Sequence, residues 1–444
     1  MALAAVEREI ERYVARTPKS RELQAEAERV LPGGSSRGTA FFAPYPFFAE
    51  AGEGHYVYDV DGNRYLDFML NATSLIMGHG HPTITEALAD QARRGTAFST
   101  PTRPQIRLAR LLCDRIPSLD TIRFTNSGTE GTLMAIRAAR AFTGRPKLAK
   151  FEGGYHGAHE YVAVSVQTPA DRLDPGGPTA VPEYPGQPAS VADGVVVLPY
   201  NDLETCTRLL RAHADDVGCL IMEPIMSSFG YVPADREFLA GIRKLTEELE
   251  IVLIFDEVQS LRVAPGGAQA LFGVTPDLTC FGKIIGGGLP VGAFGGRRDI
   301  MGQFDPTHGP ARIAHAGTFN ANPMTLVAGE VVMRALTPAT YTRLASLGET
   351  VRERLRAVFA ELGVPAQITG ITSLFGIHFS ARPIRNYRDV VAGDQALRKA
   401  LFIGLLNEGV LLQTSCAGAL GTMTGDVEID TLVDAVRRVV ARIR

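Results

Sequence analysis

The chain has 444 residues, enough for one large domain and a smaller companion. A formal net charge of −3, with 21% charged residues, gives no basic field for a nucleic-acid backbone. Hydrophobic residues make up 45%, and Gly, Pro or a charge interrupts every apolar run before membrane-spanning length, so no transmembrane helix is expected.

Residues 1–30 read as one polar helix whose start, MALAAVEREIERYVAR, is too charged for a secretory signal. Pro32, Gly33 and Gly34 end it, and 35–65 reads as short strands with turns such as DVDGNRY. From about 100 to 282, short apolar runs alternate with amphipathic helices. The runs are TIRFT at 121–125, KLAKF at 147–151, VVVLP at 195–199, CLIME at 219–223 and IVLIF at 251–255. Helices are predicted at Gln105–Cys113, Thr132–Phe142, Leu203–His213 and Arg236–Glu250. Apolar runs without alternation, separated by helices, predict an α/β fold with a mostly parallel sheet covered on both faces. The Pro-, Gly- and Asp-rich stretch at 166–194 reads either as a surface insertion or as a mobile lid. After about 328 come a helix near 340–362, strands within 366–380, a helix near 394–407, a strand at 409–413 and a last helix from Val427. The expected division is a large domain at 66–328 and a small domain at 329–444 joined by the N-terminal segment 1–65. Five cysteines, widely spaced and odd in number, fit reduced thiols in a cytoplasm-like compartment.

In an open parallel α/β sheet, ligands bind outside the carboxyl ends of the strands. After TIRFT stands Asn126-Ser127-Gly128-Thr129-Glu130 at a helix start, and after KLAKF stands Glu152-Gly153-Gly154-Tyr155-His156. Glu223-Pro224, Asp256-Glu257-Val258-Gln259 and Gly282-Lys283 follow the next runs. Ser127, Gly128 and Thr129 suit either an N-cap or a phosphate held by backbone N–H groups and the helix dipole. Asp256, closing an apolar strand, requires a cation: an arginine of the chain or a protonated ring nitrogen. His79 and His81 stand in a G-H-G-H-P turn, and His156 and His159 lack carboxylates at ligand spacing apart from Glu160, so no metal centre is expected.

Only six of the 45 Lys+Arg are lysine. Lys283, in CFGKIIGGG, lacks the first glycine and the Ser/Thr of a nucleotide-binding loop, and its apolar neighbours predict a partly desolvated, nucleophilic amine. The other five lysines read as solvated charges in polar text. A phosphate cradle, the stacking aromatic Tyr155, a carboxylate for a pyridinium and a lysine that bonds an aldehyde are together the parts that hold pyridoxal 5′-phosphate.

In NSGTE at 126–130, FEGGYHG at 151–157, Glu223-Pro224, FDEVQ at 255–259, PDLTCFGKIIGGGLPVGAFGG at 276–296 and HAGTFNANP at 315–323, the chain resembles the class III aminotransferases of fold type I, almost end to end. The resemblance implies that Lys283 carries the cofactor and shuttles the proton, Asp256 pairs with the pyridine nitrogen and Tyr155 stacks on the ring. It also implies that Val258 packs on the opposite face, that Gln259 reaches the ring hydroxyl, and that Ser127, Gly128 and Thr129 hold the phosphate. His156 and Glu223 complete the cofactor site, and Thr318 reaches the cofactor of a second copy, making a homodimer. Within the family, PGGSSRG at 32–38 and YDVDGNRYLDF at 58–68 are similar to the glutamate-1-semialdehyde aminomutase-like branch. The aminomutases of that branch usually carry Met where Gln259 stands, Gly-Asn at 227–228 and an acidic residue in a C-terminal loop; here 411–423 is uncharged. Arg37 resembles the arginine that binds a β-carboxylate in β-amino-acid aminotransferases of the branch, or it is a surface arginine in a chain with 39 arginines. The resulting expectation is transfer of an amino group from an amine or a β- or ω-amino acid to a keto acid or ketone, with glutamate-1-semialdehyde 2,1-aminomutase as the alternative.

Overall fold

A computed structural model describes residues 2–444. Its contacts separate a larger unit, Pro82–Arg343 with Arg385–Val391, from a smaller one formed by residues up to His81, Leu344–Ile384 and Ala392–Arg444.

The larger unit is built on seven strands, β1 (Thr121–Thr125), β2 (Lys147–Phe151), β3 (Val195–Leu198), β4 (Val217–Met222), β5 (Val252–Asp256), β6 (Leu278–Gly282) and β7 (Gly292–Gly296). Their order is β1-β7-β6-β5-β4-β2-β3, with β7 antiparallel to both neighbours and every other pair parallel. Each apolar run read from the sequence is one of β1–β6. The exception is β7, GAFGG, which has too few apolar side chains to read as a strand. Its glycines answer to close packing: a Cβ at Gly292 would lie 1.9 Å from Ser127 O, and one at Gly295 would lie 2.3 Å from Thr121 O. Helix Gly128–Thr143 lays Ala135, Ala138 and Ala139 on the sheet against Ile221, Ile254 and Phe294. These small residues allow close approach of helix and sheet, where dispersion contacts and apolar burial add up.

Tight bonds hold the stretch at 166–194. Ser165 N donates to Val181 O (2.8 Å), Tyr387 Oη to Thr168 O (2.9 Å) and Arg388 Nη1 to Asp174 O (2.6 Å). Two short helical pieces, Ala170–Arg172 and Ala189–Asp193, lie within it.

In the smaller unit the single helix expected over 1–30 is two, Ala2–Arg16 and Pro18–Ala27. Thr17 between them is non-helical (φ −126°, ψ 46°), and Pro18, which has no N–H to give the preceding turn, opens the second helix. Strands Ala49–Glu53, Tyr56–Asp59 and Arg64–Asp67 form an antiparallel ribbon extended by Val410–Leu411, which runs parallel to Arg64–Asp67. Residues 66–81 are therefore tied to the C-terminal part, and the contact division falls at His81/Pro82 and Arg343/Leu344 where the sequence suggested 65/66 and 328/329. A second sheet, Gln367–Thr369, Leu374–His378 and Ala417–Ala419, and helices Gln395–Asn407 and Asp426–Ile443 complete the unit. Glu9 joins three helices, accepting from Asn407 Nδ2 (2.8 Å) and Arg442 Nε (2.5 Å). Among the described residues, no helix is long and apolar enough to cross a membrane.

Candidate functional site

Because β1, β2, β4, β5 and β6 run parallel, their carboxyl ends deliver Ser127, Tyr155, His156, Glu223, Asp256 and Lys283 to one edge of the sheet. Ser127 is the N-cap of Gly128–Thr143, its Oγ accepting from Glu130 N at 3.2 Å, while Glu130 reaches back to Asn126 N at 2.9 Å. The cap and the phosphate readings are compatible. A capping hydroxyl accepts one hydrogen bond and still has its own proton to donate, and the first N–H groups of the helix lie outside its ladder. Thr129 Oγ1 likewise accepts from Ala158 N (3.3 Å) and retains its proton. Glycine is required at 157, since a Cβ there would lie 2.7 Å from Thr129 Cα.

No arginine is hydrogen-bonded to or paired with Asp256 among the described residues. Its Oδ2 lies 2.9 Å from His156 Nδ1 and its Oδ1 accepts from Val258 N at 3.1 Å. Both side chains are buried, His156 at 0% and Asp256 at 5% exposure. Burial holds the His156 pKa below its ordinary value against the pull of Asp256. Thus a neutral imidazole orients the carboxylate, and the remaining acceptor capacity of Asp256 stays available to a cation. The pairing spans 100 residues, and no local spacing announced it.

Val258 lies between Gly128 and Gly282, whose added Cβ atoms would stand 3.0 Å and 3.2 Å from its methyls. Gln259 Nε2 donates to Ser227 Oγ (2.6 Å), and Ser227 donates from both N and Oγ to Glu223 Oε2. Glu223 Oε1 is buried without a hydrogen-bond partner. Burial, reinforced by the Asp256 charge, pushes the Glu223 pKa up to about 8. Lys283 begins a single helical turn with φ +50°, a left-handed conformation that L side chains rarely adopt and that is costly unless neighbours enforce it. Tyr155 is half exposed.

Of the five lysines read as solvated charges, Lys150 is not solvated. Lys283 is half-buried, whereas Lys150 is fully buried, with Nζ donating to Val164 O at 2.6 Å. Burial depresses the Lys150 pKa to about 7. KLAKF puts Lys150 in an interior strand between Ala149 and Phe151, a signal for desolvation that was present in the sequence. A second residue missed there is Arg388, which pairs with Glu152 through Nε (2.7 Å) and Nη2 (3.0 Å) and braces the turn that carries Tyr155 and His156.

Two further predicted residues are Thr318, in the larger unit, and Arg37, in the smaller. Thr318 is exposed on a cavity of about 480 Å³ lined by 97–102, Gln105 and 317–323. Arg37, in the smaller unit, is exposed and donates from Nη1 to Asn71 Oδ1 at 2.5 Å.

The donor set fits pyridoxal phosphate: unladdered N–H groups with two hydroxyls, an oriented carboxylate, a lysine and a glycine-lined cradle under Val258 stand at one edge. Comparison with known proteins points the same way. The model of the family "Aminotransferase class-III" matches residues 41–425. Glutamate-1-semialdehyde 2,1-aminomutase of Methanothermobacter thermautotrophicus is 42% identical over 398 residues, covering 89% of this chain and 92% of the relative. Among solved structures, an ω-transaminase from Sphaerobacter thermophilus superposes with a TM-score of 0.92 at 47% identity over 96% of this chain and 98% of that one. A β-phenylalanine aminotransferase from Variovorax paradoxus gives 0.89 at 37% identity, covering 99% and 97%.

Proposed function

The chain belongs to the class-III aminotransferases, pyridoxal-phosphate enzymes of fold type I, and from that premise we propose that it moves an amino group between two molecules, from an amine or a β- or ω-amino acid to a keto acid or ketone. Bound at the strand edge, pyridoxal phosphate supplies the electron sink that lets a proton leave the carbon bearing the amine. Lys283 Nζ would hold the cofactor and, as a free amine, would serve as the base that accepts the proton from the amine-bearing carbon and as the acid that gives it back. Asp256, held by His156, fixes a proton on the ring nitrogen. Ser127, Gly128 and Thr129 hold the phosphate. Tyr155 and Val258 confine the ring from its two faces, and Gln259, anchored on Ser227 and Glu223, meets the ring hydroxyl. Arg37 receives the donor carboxylate.

The observation that carries the intermolecular reading is the Gln259–Ser227–Glu223 chain. Two of the departures from the aminomutase pattern, at Gln259 and Ser227, fall in one hydrogen-bonded network, so they change the site together. The aminomutase remains the second reading, favoured by curated relatives such as the Methanothermobacter enzyme. Half-reactions followed by the cofactor spectrum separate the two. Transfer predicts loss of the resting spectrum with β-amino acids or simple amines and its recovery on adding a keto acid. Conversion of glutamate-1-semialdehyde with no external acceptor, and no response to amines, overturns it.

The enzyme is further read as a homodimer, with Thr318 reaching the phosphate held by a second copy. In support, Phe98 and Phe319, at 49% and 58% exposure, stand on the Thr318 cavity as apolar surface that a partner would cover. A monomeric mass in solution would exclude this.

A further inference from the structure

Residues 70–73 form a left-handed turn made without glycine. Leu70, Asn71, Ala72 and Thr73 have φ of 48°, 48°, 52° and 74°. For L-residues such a turn is unfavourable, and only Asn tolerates it with ease. It persists where the surroundings dictate it. Here Leu70 N donates to Asp67 Oδ1 (2.8 Å), and Asp67 Oδ2 is held by His79 Nε2 (2.8 Å). Phe68 N donates to Leu411 O (2.9 Å) before the turn, and Thr422 N to Ile76 O (2.7 Å) after it. Leu70 and Thr73 are buried while Asn71 is exposed. The clamp therefore buries its neighbours and leaves one side chain presented.

That side chain is oriented at both ends. Asn71 Nδ2 donates to Ser74 Oγ (3.1 Å), which leaves Oδ1 as the end facing Arg37 Nη1 (2.5 Å). Arg37 Nε donates to Thr39 Oγ1 (3.4 Å). Two of the five guanidinium N–H groups are thus used, and three, on Nη1 and Nη2, face outward for a planar oxyanion. Among the described residues no acidic side chain pairs with Arg37. An amide fixes the guanidinium without neutralising it, which an aspartate at the same place would do.

We propose that Asn71, presented by this left-handed turn, is a positioning residue that aims Arg37 at the carboxylate of the donor and thereby selects carboxylated donors over plain amines. The inference rests on the reading of Arg37 given above, and the test keeps the two apart. The probe is 3-phenylpropanoate, which has the carboxylate and no amine, bound to the cofactor-loaded enzyme and read by calorimetry. Turnover of 3-amino-3-phenylpropanoate and of 1-phenylethylamine supplies the paired kinetic measurement. Asn71→Asp is expected to weaken 3-phenylpropanoate and raise KM for the carboxylated donor by about tenfold or more, with kcat changed less than about threefold and KM for 1-phenylethylamine unchanged. Asn71→Gly, which relieves the turn while removing the acceptor, is expected to weaken the anion severalfold without lowering Tm. If Arg37→Ala leaves anion binding as in the wild type, the Arg37 reading itself fails. If Arg37→Ala weakens the anion but neither Asn71 variant does, the positioning role alone is overturned. Equal effects of Asn71→Asp on the anion and on 1-phenylethylamine also overturn it.

Discussion

The strand edge of the larger unit and the turn at 70–73 of the smaller one place polar groups by opposite means. At the edge, parallel strands end together and the residues they contribute mostly have ordinary backbone, Lys283 at φ +50° excepted; Asp256 is simply the last residue of β5. At the turn, a backbone conformation unfavourable to every residue but Asn71 is imposed by bonds from Asp67, Leu411 and Thr422. The edge is dry, with His156 and Asp256 buried against each other, and its carboxylate acts through a fixed neighbour. The turn is wet, and its effect depends on an uncompensated surface charge that salt screens. Chemistry shared by a family belongs on the first kind of scaffold and discrimination among substrates on the second, because strained loops can change without disturbing the sheet.

If the edge carries the chemistry, its variants must act on turnover and not on donor choice. Lys283→Ala is expected to lower kcat at least about a thousandfold for carboxylated and plain amines alike, while cofactor is still retained through Ser127, Gly128 and Thr129. Equilibrium dialysis of cofactor together with single-turnover rates checks both halves. Residual activity near the wild-type level would remove Lys283 from the mechanism. Asp256→Asn keeps the shape but removes the charge that holds the ring proton. About a hundredfold to a thousandfold loss in kcat is expected, again equal for both donor types. A loss confined to one donor class would blur the contrast between edge and turn.

The same contrast governs what the sequence revealed. Strand ends are legible because an apolar run, a polar residue at its end and a helix start are all local signals, and Ser127, Glu223, Asp256 and Lys283 follow directly from them. The His156–Asp256 bond is not legible, since it joins the ends of β2 and β5 across 100 residues, and neither is the brace from Arg388 to Glu152 across 236. The left-handed turn leaves no mark in MLNATSL, which lacks the glycine that ordinarily signals positive φ. Strand β7 failed for the inverse reason: its glycines, selected by close approach to Ser127 and Thr121, erased the apolar pattern by which strands are found. Lys150 is a different case: the apolar strand around it signals burial, while lysine as a residue type points to solvent because it is so seldom fully buried.

Lys150 and Glu223 provide the smallest and most specific test, because two buried groups of opposite charge type must tilt stability in opposite directions. Lys150 has its pKa lowered from 10.5 to about 7, so the folded chain holds fewer protons than the unfolded one between those values. Its contribution is fully present above about 10.5 and is lost as pH falls through 7. Glu223 has its pKa raised from 4.5 to about 8, so its contribution is present below 4.5 and is lost as pH rises through 8. Lys150→Met should therefore remove a rise in stability between about pH 7 and 10.5, worth up to about 5 kcal/mol, and leave Val164 O unpaired at a cost of about 1–3 kcal/mol at every pH. The variant is expected to match or exceed the wild type at pH 6 and to fall below it at pH 10. Glu223→Gln should remove a decline between about pH 4.5 and 8. Denaturant unfolding of cofactor-free protein across this range measures both, and parallel wild-type and variant curves would mean that these groups titrate alike in the folded and unfolded chain. Neither variant touches Arg37 or Asn71, so the discrimination between carboxylated and plain donors must survive both substitutions; its loss in either would show that edge and turn are not independent.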